Sequence, residues 1–149
     1  MGGGCNDVAK AQQYFAEVED ELVSLQELDS FEMLREILDR SRSLQDFPEN
    51  LMRDENKVHG CQSTVYVYSE RHDDCVHFQA YSDAQVIRGY LAILISGLDG
   101  LKIDDFLGHA RQIVEAFARR TNIAASVTPT RANAFGNIFM LMEQQTAKL

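Results

Sequence analysis

Cys61 is the residue of this chain with the clearest chemical potential. It lies in the run Asn56-Lys57-Val58-His59-Gly60-Cys61-Gln62-Ser63-Thr64-Val65-Tyr66. A glycine precedes it and a strand-like alternation follows it, a setting that presents one thiol at a loop tip on a rigid base. The thiolate is the reactive form of cysteine, so exposure and local charge decide what the group can do. A structural cysteine more often replaces a hydrophobe inside a periodic run. Gly60 and Gln62 are turn chemistry instead.

Four chemistries can be set against this thiol. A cysteine hydrolase needs a histidine held on the sulfur and an orienting group behind it. The chain offers His59, His72, His77 and His109, and only His59 is near in sequence. A partner two residues away seldom reaches that geometry. A metal centre could use His59 and Cys61 with Cys75 and His77, a mirrored pair that antiparallel strands could bring together. Four such ligands suit tetrahedral zinc, but no Cys-x-x-Cys spacing supports the set. A phosphate loop would need Lys and Ser or Thr after the glycines, and Gly2-Gly3-Gly4 lacks them. A sulfur carrier needs less: one cysteine, a mobile loop and a partner surface. Its thiolate attacks the outer sulfur of a donor persulfide, the persulfide form of thiol–disulfide exchange. The lack of a second cysteine nearby is an advantage there, because a resolving thiol would discharge the cargo.

The elements that must position Cys61 follow from periodicity. Residues Asp7 to Leu28 carry Val8, Ala11, Phe15, Val18, Leu22 and Leu25 at helical steps. Ser30 reads as the cap of a second helix with Phe31, Leu34, Ile37 and Leu38 on one stripe. Phe47-Pro48 opens a loop. Period two then takes over: Val65 and Val67, then Val76, Phe78 and Ala80, alternate with neighbours around the polar turn His72-Asp73-Asp74. That is an antiparallel hairpin, with residues 56–60 available as a third short strand. Ser82 and Gln85 fit a capping box ahead of Val86–Ile95, a run apolar nearly all round and so a buried helix ended by Gly97 and Gly100. Residues Ile103 to Arg120 read as one or two helices with a break near Gly108, and Thr128-Pro129-Thr130-Arg131 starts a last one. Helices, hairpin, helices in that order predict an α+β fold, about three antiparallel strands flanked by helices.

Size and charge bound the function. A length of 149 residues suits one domain, 1–149, with a disordered start over residues 1–6. Net charge −9 argues against nucleic acid as a partner, since phosphate needs a basic surface. No apolar run is long enough to span a membrane. Three widely spaced cysteines give no disulfide framework and suggest a reducing compartment, the cytoplasm or an organelle.

The segment Val58–Tyr66 resembles the signature around the active cysteine of the SufE/CsdE sulfur-acceptor proteins. Phe47-Pro48 and Asn56 resemble elements upstream of that cysteine. Ser82-Asp83-Ala84 with Ile87-Arg88-Gly89, and then Thr128-Pro129-Thr130-Arg131, resemble elements downstream. The likeness covers residues 10 to 147 in order and spacing. Tyr66 stands where the family usually has Trp, and Arg88 where it has Lys. The resemblance implies a fold shared with IscU-type scaffolds. It implies that Cys61 accepts persulfide sulfur from a pyridoxal-phosphate-dependent cysteine desulfurase, stimulates it, and passes sulfur to an iron–sulfur scaffold or other acceptor. His59, Gly60, Gln62, Ser63, Asp83 and Arg131 would support Cys61 or meet the partner. No resident cofactor and no metal is expected, only a transient persulfide, on a monomer or weak dimer that is not itself an enzyme. The rival assignment is a metal or cluster scaffold built on Cys61, Cys75, His59 and His77. A persulfide needs shelter from thiols, so Cys61 should rest on an apolar wall formed by the hairpin and the Val86–Ile95 helix. Burial there would raise its pKa, and the loop would flip outward on docking.

Overall fold

The computed structural model describes residues 4–123 and 134–149. Two helices open the chain, α1 (Val8–Leu28) and α2 (Ser30–Arg40). Each begins on an aspartate: Asp7 accepts from the Lys10 N–H at 2.8 Å, and Asp29 from the Phe31 N–H at 3.0 Å. Asp29, not Ser30, therefore caps α2. The carboxylate also suits the positive end of the helix.

Strands β1 (Val65–His72) and β2 (Cys75–Ser82) form an antiparallel hairpin, in register from Val65↔Ser82 to His72↔Cys75. Its turn uses Asp73 at φ 56°, a left-handed conformation that Asp tolerates. Val65, Val67 and Ser69 of β1 point inward, as do Val76, Phe78, Ala80 and Ser82 of β2. The expected third strand is reduced to one antiparallel bridge, Lys57↔Tyr66.

Helix α3 (Gln85–Leu98) runs through the middle of the molecule and buries residues on all its faces. It begins without a side-chain cap: Ser82 Oγ accepts from the Ala84 N–H at 3.1 Å instead of closing a capping box with Gln85. Gly97 lies inside the helix rather than ending it, and a Cβ there would stand 2.3 Å from the Phe15 ring of α1, so the glycine serves close helix packing. Helix α4 (Ile103–Thr121) is unbroken, with Gly108 on its exposed face, and α5 (Ala134–Ala147) closes the fold. Five helices and a two-stranded sheet among the described residues make the α+β fold expected, with helices stacked on the hairpin's buried face. None of the described helices is long and apolar enough to cross a membrane.

The cysteines depart from expectation. Cys5 and Cys75 form a disulfide with Cα atoms 5.4 Å apart. The start of the chain is accordingly held rather than loose from residue 5. Asn6 pairs in parallel with Leu101, and its N–H donates to the Gly100 carbonyl at 2.7 Å. Leu101 in turn accepts from the Val76 N–H at 2.9 Å. The segment after α3 thus brings Cys5 to the first residue of β2. A spacing of 70 residues hides that pairing from sequence inspection.

Candidate functional site

The Cys61 loop grows from the hairpin. The Val58 N–H donates to the Val65 carbonyl at 2.8 Å, and both side chains are buried, 2% and 0% exposed. This apolar pair fixes the two legs of residues 59–64 and leaves the tip outside the core. The chain reverses at Gly60, whose φ of +89° lies in the left-handed region that favours glycine. Cys61 follows, half-buried and packed against the edge of the core.

Asp83 secures the far leg. Its carboxylate accepts from the Thr64 N–H at 3.1 Å, and its own N–H donates to the Thr64 carbonyl at 3.4 Å. These two contacts tie the loop to the end of β2. Asp83→Ala is expected to cost about 1 kcal/mol of stability, the ordinary worth of one hydrogen bond. It should also speed alkylation of Cys61 several-fold, read by iodoacetamide kinetics; an unchanged rate would show that Asp83 does not restrain the loop.

The near leg is braced from outside. Asn56 is buried and donates to the Leu51 carbonyl at 2.9 Å. Gln145 of α5 reaches Asn56 Oδ1 at 3.3 Å and the Val67 carbonyl at 2.8 Å, stitching α5 to β1. Tyr66 stacks on Phe47 with ring centroids 6.1 Å apart. The large ring and the Phe47-Pro48 turn therefore serve one packing contact.

The thiol itself meets α5. Burial pushes the Cys61 pKa above its usual value, and a hydrogen bond from Asn137 opposes that rise. The rise matches the expectation of a quiet thiol, and a side chain of α5 also reaches the loop. Asn137 carried no signal in the sequence: a single amide on an amphipathic helix looks like surface.

The other candidates lie apart. His59 is exposed with Nε2 3.8 Å from Asp54 Oδ1, so it is not seated as a base on the sulfur. Gln62 is exposed and Ser63 half-buried. His77 Nδ1 lies 3.0 Å from Asp99 Oδ2, whose other oxygen accepts from the Phe78 N–H at 2.7 Å. With Cys75 in a disulfide, the four-residue ligand set of His59, Cys61, Cys75 and His77 is not available. Among the described residues no three His, Cys, Asp or Glu side chains are grouped to hold a metal. Arg131, with the Thr128-Pro129-Thr130 start, lies outside the described residues.

The motifs on this loop have a counterpart across most of the chain: residues 19–146 match SufE, the Fe–S metabolism associated domain. The chain belongs to the SufE family. A SufE-like protein of Synechocystis sp., described as uncharacterized, is 42% identical over 88 residues, 59% of this chain and 53% of its own length. The cysteine desulfuration protein SufE of Plasmodium falciparum is 28% identical over 109 residues, 70% of this chain and 42% of that protein. This SufE-family chain thus spans about half or less of each of these two curated relatives. A hypothetical protein of Thermus thermophilus shares the fold with TM-score 0.67 at 17% identity, covering 91% of this chain and 94% of that one.

Proposed function

We propose that this SufE-family protein accepts sulfur on Cys61 from a cysteine desulfurase and delivers it for iron–sulfur cluster assembly. The observation that carries the reading is the state of the three cysteines. Cys5 and Cys75 are consumed by their disulfide, and Cys61 is the free thiol, half-buried on a loop with a fixed base. A carrier needs one accessible sulfur and no resolving partner beside it.

The transfer balances without an external oxidant. The Cys61 sulfur attacks the outer sulfur of the donor's persulfide. A new S–S bond forms at Cys61 as the donor's S–S bond breaks. The donor cysteine leaves as a thiolate and takes up the proton that Cys61 lost, so one thiol and one persulfide exchange places. The raised pKa keeps Cys61 protonated at rest, and movement of residues 59–64 into the donor's site removes the burial that raises it. The Gly60 turn and the exposed His59 and Gln62 are the parts of the loop free to meet that partner. The sulfur is cargo, and the protein needs no resident cofactor.

Draining the donor's persulfide should accelerate the donor. Alanine release by a desulfurase supplied with cysteine is expected to rise when the protein is added, saturating with its concentration. A rate unchanged at saturating protein would contradict the proposed partnership. Faster release together with altered hydrogen exchange over residues 57–64 would support it.

A further inference from the structure

We propose that Asn137 is a positioning residue for the transferred sulfur: its side-chain amide donates N–H to the Cys61 sulfur at rest and to the outer sulfur once the persulfide has formed. This role rests on the sulfur-acceptor reading above and adds to it the group that holds the cargo.

Two observations place this amide against the Cys61 turn. A Cβ built on Gly60 would stand 3.0 Å from Asn137 Nδ2, so the nitrogen end of the amide, the donor end, faces the turn. Cys61 is the next residue, and the same side chain lowers its pKa against the rise that burial causes. Asn137 is half-buried on the wall of a groove of about 320 Å³ between α4 and α5, whose lining mixes Val114, Phe135 and Phe139 with Arg111, Glu115 and Glu143. An amide there has a use if a polarisable anion must be held at the groove's edge, because a neutral donor stabilises a sulfur anion without introducing a competing charge.

No charged group described nearby substitutes for it. On the loop, His59 faces Asp54. Beyond β2, Asp83 is engaged with the Thr64 backbone. On α4 and α5, Arg111 binds Glu143 at 2.6 Å and lies 3.7 Å from Glu115.

The direct test uses Asn137→Ala and the near-isosteric Asn137→Asp in the isolated protein. With the Cys5–Cys75 disulfide intact, iodoacetamide reads Cys61 alone. The midpoint of its pH–rate profile is expected to move to higher pH in Asn137→Ala, and further in Asn137→Asp, where a carboxylate replaces the donor. A merely structural asparagine would change the melting temperature and leave the midpoint fixed. Once loaded with sulfur, Asn137→Ala should lose it to a small thiol about tenfold faster than the parent, the size expected for one hydrogen bond to a charged sulfur. An unmoved midpoint in both variants, with normal sulfur loading, overturns the assignment of Asn137 alone. A parent protein that takes up no sulfur overturns the acceptor reading and the persulfide half of this proposal together, whatever the midpoint does.

Discussion

Serine at position 61 is expected to abolish sulfur acceptance while leaving the fold in place. An alkyl hydroxyl is not ionised near neutral pH, and oxygen cannot form the S–S bond that carries the cargo. The Cys61→Ser side chain still fits the half-buried site and can still take a hydrogen bond from Asn137. Its effect on stability should stay within about 0.5 kcal/mol, as at most positions outside the core. Sulfur loading should fall below detection, and stimulation of a desulfurase should fall with it. Labelled cysteine with a desulfurase checks both in one incubation. Loading retained by the Cys61→Ser variant would mean that another residue is the acceptor.

Loss of the Cys5–Cys75 disulfide is expected to have the largest effect on stability. The bond closes a loop spanning 70 residues, and the loop-closure entropy removed from the unfolded chain corresponds to about 4 kcal/mol. For a chain of this size that is a fall of about 10 °C in melting temperature. Cys5→Ala tests it most cleanly, because Cys5 lies outside the sheet while Cys75 begins β2. The hydrogen bond from Asn6 to Gly100 survives the change and should keep the native state intact. Reductant should lower the melting temperature of the parent protein to that of Cys5→Ala and leave the variant where it is. Equal melting temperatures for parent and variant without reductant would show that the disulfide does not constrain the chain in solution. The bond also sets the chemistry apart, since thiols released at positions 5 and 75 would compete with Cys61 for any electrophile.

What the sequence made legible follows from how far each signal reaches along the chain. The helical steps from Val8 to Leu25, the alternation around Val65 and Phe78, and the apolar run into α3 are local patterns, and each became the expected element. Gly60 before Cys61 announced the turn, because few other residues adopt a φ of +89° there. Contacts between distant segments were hidden. The pairing of Cys5 with Cys75 depends on Asn6 meeting Leu101, and Asp83 found Thr64 only because β2 returns beside β1. Asn137 reaches the Cys61 loop from α5, far along the chain. Small boundary errors had local causes: Asp29 outcompeted Ser30 as a cap, and Ser82 turned its hydroxyl to Ala84 rather than to the helix. Of the one or two helices read for residues 103–120, a single one formed, because Gly108 sits on the exposed side of an otherwise regular helix.

Persulfide formation on Cys61 is the step on which everything else depends. Peptide mass spectrometry after incubation with a desulfurase and cysteine tests it most directly. The expected result is a gain of one sulfur on the Cys61 peptide, removed by a small thiol, with Cys5 and Cys75 recovered as their disulfide. A sulfur found on Cys5 or Cys75, or an unmodified Cys61 peptide while the desulfurase turns over, would contradict it.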